Sequence, residues 1–404
     1  MESIPKDSKY IILDCGSGFT KAGFSGYGEP VIITPTVVGY PKTEDEGKID
    51  DSTKLYFGQK ALDNKKDLNI IYPIQRGRIT DWDSMNLFLE NLFKNELKID
   101  TKDFGITFHE KLPENKEARK KLAELFFEHF QVPKLYINNS YTLCTYGVHY
   151  YSGFVIDSGY DFTAIVPVDV GFPYTNCMKI VNVGGKDISN YLEKLLLKKG
   201  YDNLSYNDIE NIKKKCCYIQ KKNYEKKKDE KQEEKVEEII YELPDKKQIK
   251  LEEECFMAPE ILFHPELIKK EYGGIENAFC HSMYETDRET ESKVNGTVIL
   301  SGGNTLFPNF QERLTYEIQT EFGGEYKNRI NIPDIPYKDT IQWIGTSIFS
   351  LCDIFDSLST SKKEYEEEGP SAMDCRIFYE FFFEICFFFK TCLFEFCNEM
   401  SITG

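Results

Sequence analysis

The chain has 404 residues, enough for more than one hydrophobic core, and its apolar fraction of 41% is that of an ordinary globular protein. Its 67 acidic against 50 basic side chains give a net charge of −17, which disfavours a nucleic-acid groove unless the basic residues cluster. The one basic-looking stretch, Lys213 to Lys235, alternates with glutamates and reads as a solvated face, so no direct nucleic-acid partner is expected.

The opening MESIPKDSKY is polar, and the 12 cysteines show no C-x-x-C pair and no zinc-finger spacing. They are expected as reduced thiols of a cytoplasmic protein, with the nucleus as the alternative compartment. Residues 10 to 38 read as short strands joined by glycine turns: YIILD, FTKAGF and VIITPTVVG. Residues 40 to 54 are polar, acidic and without period, the signature of an exposed loop. From the N-cap candidates Thr80 and Asp81 onward, Met85, Phe88, Leu89, Leu92 and Phe93 recur at helical spacing, and residues 114 to 130 repeat the pattern.

A second acidic turn follows in GFVIDSGYDFTAIVPV, residues 153 to 168, and GGKDISNYLEKLLLKKG then predicts a helix closed by Gly200. Residues 205 to 254 are rich in lysine and glutamate and open on a capping box of Ser205 and Asp208, which predicts a helical, solvent-facing insertion. GTVILSGGNTLFP, residues 296 to 308, is a third apolar strand running into small residues. Strands with intervening helices in two similar halves predict an α/β architecture of two lobes.

Small residues after an acid have a chemical use. A phosphate chain needs backbone N–H groups aimed at it, and backbone approaches closely only where no Cβ intervenes. Gly16, Ser17 and Gly18 supply one such turn, Ser158 and Gly159 another, and the two together would clamp a triphosphate. Asp14 and Asp157 are then candidates for holding Mg²⁺ or Ca²⁺, which favour carboxylate oxygens. Lys21, on the strand leaving the first turn, offers a point charge. No P-loop or dinucleotide fingerprint occurs in the sequence.

DCGSGFTKAGF, YPIQRGRITDWDSM, DSGYDFT and SGGNTLFP, in that order, resemble the actin family, and YELPD, APEILFHPELI, WIGTSIFSL and SKKEYEEEGPS continue the match. The last resembles centractin as much as conventional actin. The resemblance covers roughly residues 8 to 378. It implies duplicated ribonuclease-H-like domains around a nucleotide cleft: a first lobe of residues 1–145 completed by 339–378, and a second of 146–338 carrying the insertion 205–254. It implies ATP or ADP with Mg²⁺ or Ca²⁺ as cofactor, Asp14 and Asp157 beside the metal, and Gly16, Ser17, Gly18, Lys21, Ser158 and Gly159 on phosphate. Gly185, Lys213, Gly302, Gly303, Asn304 and Leu306 would lie near ribose and adenine.

The departures carry expectations of their own. The family's water-positioning glutamine falls on Ser140, with Asn139 adjacent; a serine is too short for that task, so the chain should be at most a weak ATPase. Lys214 and Asp339 each reverse a charge that the family places near ribose or adenine, and Tyr160 stands where the family has a small acidic turn. EDEGKID at the centre of the 40–58 loop, and Lys269, Lys270 and Glu271 in LIKKEYGG, put charge where actin has apolar assembly contacts, so ordinary filaments of this chain alone are not expected. Residues 379–404 lie beyond the family pattern. Their apolar runs are broken by Glu380, Glu384, Lys390 and Glu395, short of the ~20 residues a membrane span requires, and a gene-model artefact is the favoured origin.

The function implied is that of an ATP-binding cytoskeletal protein whose nucleotide state sets lobe closure and partner binding. Its partners would be actin, other actin-related proteins or actin-binding proteins. The alternatives are a nuclear actin-related subunit of a chromatin-remodelling complex, in an architectural role, and, lowest, a small-molecule kinase on the same fold.

Overall fold

The computed structural model describes residues 8–42, 54–112, 116–221, 238–287, 294, 296–322, 330–352 and 354–373. The centre of the acidic loop, the middle of the lysine–glutamate segment and the 379–404 tail lie outside these residues.

Two mixed sheets repeat one plan. In the first, the hairpin Tyr10–Cys15 and Phe19–Phe24 continues on one side into Ile32–Pro35; on the other, Tyr10–Cys15 runs parallel to Gly105–Glu110, and that strand parallel to Lys134–Asn139. In the second, the hairpin Ser152–Ser158 and Thr163–Asp169 has Val298–Ser301 as the parallel neighbour of its first strand. The first strand of each hairpin is a continuous apolar run, as strands covered on both faces require. Asp14 and Asp157 are each the penultimate residue of that strand, so both acids sit at the C-terminal strand ends, where open α/β sheets bind ligands.

Each sheet has its own core. Around the first pack Leu13, Met85, Phe88, Leu92 and Phe126; around the second, Ile156, Ile188, Leu192, Phe279 and Leu300. The helix Trp82–Asn91 starts where its sequence indicates, with the Asp81 carboxylate accepting from the Ser84 amide at 2.9 Å. Ser205 and Asp208 form the expected capping box on the helix Tyr206–Cys216.

The helical, solvent-facing reading of 205–254 does not hold across its described part. Ile239–Glu242 and Gln248–Leu251 form an antiparallel hairpin, and Ile209, Ile212, Ile249 and Leu251 join the second core. The alternation of apolar and charged residues in IIYE and QIKL, either side of a turn at Pro244 and Asp245, outweighs the lysine-rich composition.

The chain passes between the halves twice, each time near one helix pair. Ser140–Gly147 links Lys134–Asn139 of the first sheet to Ser152–Ser158 of the second, and Ile341–Phe349 packs on it during the return. Their backbones touch: a Cβ at Gly345 would lie 1.9 Å from the Leu143 carbonyl oxygen, and one at Gly147 would lie 2.5 Å from that of Ile341. Only glycine allows this approach.

One buried acid sets a pH dependence. Glu276 is 9% exposed, its Oε1 accepts from Asn277 at 2.6 Å, its Oε2 has no partner among the described residues, and burial pushes its carboxyl up from 4.5 to about 7. Between those values the unfolded chain has lost the proton and the folded chain keeps it, so stability falls as pH rises through this window. Glu276→Gln is expected to flatten that slope and to leave the chain about 1–3 kcal/mol more stable than wild type at pH 8, read by urea unfolding across pH 5–8.

Candidate functional site

The two hairpin turns and the loop after Val298–Ser301 face a single cavity of about 520 Å³. That volume suits a nucleotide-sized ligand. Asp14, Gly16, Ser17, Gly18 and Lys21 line it from the first half; Asp157 and Gly159 line it from the second hairpin, and Gly302, Gly303, Asn304 and Leu306 from the third loop. Gly185 and Lys213 complete its far wall.

Local rules place these groups. Gly302 has φ +88°, and a Cβ there would strike the Ser158 carbonyl oxygen at 2.3 Å, so glycine is required. Asn304 ties this loop to the second hairpin by donating to Ser158 Oγ at 3.1 Å and to the Gly159 carbonyl at 2.7 Å. Ser158 itself is buried behind the lining, its hydroxyl 2.8 Å from that of Thr163. Lys213 Nζ is held by the Gly185 carbonyl at 3.2 Å, Ser189 Oγ at 2.7 Å and Glu210 at 2.8 Å. Burial lowers its pKa against the opposing pull of Glu210.

The electrostatic centre is Asp14. Lys21 lies directly opposite it in the hairpin register, and its Nζ is 3.2 Å from Asp14 Oδ2. On the other oxygen, Oδ1, His109 Nδ1 stands at 3.6 Å and Lys111 Nζ at 3.1 Å. Lys111 also reaches Asp157 Oδ2 at 3.8 Å and donates to Gln342 Oε1, which is itself fixed through its amide nitrogen to Ser301 Oγ at 3.1 Å. Burial alone would push the Asp14 carboxyl up; Lys111 and then Lys21 outweigh it and hold it well below the usual carboxylate range. Burial likewise works against the Lys111 charge, and Asp14 and Asp157 together raise its pKa.

Lys111 was not among the residues the sequence marked, nor was Glu210. Lys111 follows the strand Gly105–Glu110, and only the parallel pairing of that strand with Tyr10–Cys15 brings it to Asp14. Its one local sign is an apolar strand ending in charge, GITF then HEK, the same grammar as YIILD.

Ser140 and Asn139 lie outside the cavity lining. Ser140 is fully buried and donates to the Glu110 carbonyl at 3.2 Å, while the Asn139 side chain caps the next helix by accepting from the Tyr141 amide at 3.0 Å. Tyr160 does line the cavity. Its ring covers Gly18, where a Cβ would come within 2.6 Å of it, stacks on Tyr72 with centroids 6.3 Å apart, and its hydroxyl lies 3.3 Å from that of Tyr206. Burial raises the pKa of all three phenols, which therefore stay neutral.

The glycine-lined walls fit a phosphate chain. The donor set fits a divalent cation poorly, because the two carboxylates already share an ammonium. A unit charge ~4 Å from a divalent cation opposes it by about 8 kcal/mol at an effective dielectric near 20. No helix among the described residues is long and apolar enough to cross a membrane.

Comparison with known families matches residues 6–378 to Actin, a family whose fold holds a nucleotide with a divalent cation. With duplicated sheets, paired hairpins and a shared cleft beneath that match, the chain belongs to the actin family.

Proposed function

We propose that this protein binds ATP or ADP in the cleft between its two halves and that nucleotide state sets their closure, and through it the binding of partners or filaments. The convergence of both glycine turns and the Gly302–Asn304 loop on one cavity of about 520 Å³ carries the reading. The halves are taken as residues 1–145 with 339–378, and 146–338. Hydrolysis is slow or absent: Ser140 is too short to orient water and spends its hydroxyl on the Glu110 carbonyl, and the Asn139 side-chain oxygen caps a helix outside the cavity lining.

The partners proposed are actin, other actin-related proteins or actin-binding proteins, in the cytoplasm and cytoskeleton. The 267–274 segment supports binding by partners over self-assembly. Its Lys270 is drawn back onto the body, paired with Asp187 at 3.1 Å and donating to the Asn182 carbonyl, and it presents charge in place of an apolar plug.

Nucleotide extracted from the purified chain tests the reading. Close to one ATP or ADP per chain is expected, with turnover well below that of actin filaments. A Cβ at Gly303 meets nothing within 4 Å, so Gly303→Phe should fill the cleft without disturbing the backbone and lose the nucleotide while keeping the wild-type circular dichroism spectrum. An empty wild-type cleft would sink the nucleotide reading.

A further inference from the structure

We infer that Lys111 is a built-in cation, its ammonium standing where a divalent ion would bridge Asp14 and Asp157, and that the cleft takes a nucleoside polyphosphate without its metal. The inference rests on the nucleotide reading for its ligand, and on Lys111 alone for its cation.

Three observations carry it. The Nζ lies 3.1 Å from one carboxylate and 3.8 Å from the other, so one ammonium serves an acid from each half of the molecule. Its position is fixed by a third group, Gln342, whose amide is anchored on Ser301 at the end of the neighbouring strand. The other oxygen of Asp14 pairs with Lys21, so the charges of two acids and two lysines sum to zero, while Oδ1 accepts no hydrogen bond among the described residues. A divalent cation seeks several oxygen ligands at ~2.0–2.6 Å, and here it would displace the ammonium from both carboxylates and then stand beside it. Both acids retain a use in this arrangement: they hold the ammonium in the wall of the cavity that the glycine turns also line, where its charge would attract phosphate.

The test uses the full chain, stripped of nucleotide and titrated with the fluorescent analogue mant-ATP in EDTA and in excess MgCl₂. Wild-type affinity is expected to differ by less than about threefold between the two, whereas Lys111→Met, which opens the gap between the acids, should show a dependence on Mg²⁺ of about tenfold or more. A wild-type dependence above about threefold overturns the inference and leaves the nucleotide reading intact; so does a Lys111→Met variant no more dependent than wild type. The wild-type comparison decides the matter whether or not the variant folds.

If mant-ATP binds under neither condition, the nucleotide reading has failed, and Mn²⁺ titration followed by electron paramagnetic resonance tests the cation alone. Wild type leaving the free Mn²⁺ signal unchanged upholds Lys111 as the resident cation. Uptake of about one Mn²⁺ per wild-type chain, lost in Asp157→Asn, overturns it.

Discussion

Arg313→Leu is expected to lower the stability of the chain by about 3–5 kcal/mol, a large share of the roughly 5–15 kcal/mol by which native proteins are stable. The Arg313 side chain is fully buried in the helix Phe310–Phe322. It grips Glu260 through two bonds of 2.7 and 3.2 Å, reaches Glu317 at 2.6 Å and the Gln220 carbonyl at 3.0 Å, and lies over the Phe263 ring at 4.8 Å. Removing the guanidinium strands Glu260, only 3% exposed, without its counter-charge. Lysine cannot replace it, because a point charge lacks the planar fork that serves both carboxylate oxygens. Urea unfolding monitored by near-ultraviolet circular dichroism should show the loss in Arg313→Leu and in Arg313→Lys, and partial recovery when Glu260→Leu is added to the former. A change below about 1 kcal/mol would contradict this account.

Tyr160→Ala should speed nucleotide release by about two- to tenfold. Tyr160 stacks on Tyr72 of the first half, meets Tyr206 of the second and roofs Gly18, so one ring joins both halves at the mouth of the cleft. An aromatic pair contributes about 0.5–1.5 kcal/mol beyond the area it buries, which converts to the rate change expected. Tyr160→Phe keeps the stack and loses only the hydroxyl contact, so its effect should be smaller. Gly18→Ala should speed release as well, because the added methyl group both forces the ring away and intrudes on the phosphate turn. Chase of bound mant-ATP with excess ATP reads all three, and identical release rates would show that the ring does not join the halves.

The residues legible from sequence are those whose neighbours in the chain already constrain them. Asp14 and Asp157 stand out because an apolar strand stops at an acid and small residues follow, and the structure brings both to one cavity. Asp81 and Ser205 are read as caps from a few residues of context. Lys111 escapes because its meaning lies in a pairing with a strand almost a hundred residues earlier, and one lysine among 50 basic residues bears no mark of it. The 239–251 hairpin escapes for the opposite reason: its alternation is present in the sequence, but composition dominates a short window. Tyr160 reads only as a departure from a small acidic turn until its partners, Tyr72 and Tyr206, are seen to make it a bridge.

Where Gly147 and Gly345 meet, main chain lies against main chain, with the Ile341 side chain packed alongside. A single methyl group on either glycine would therefore prise apart the two helices that carry the chain from one sheet to the other.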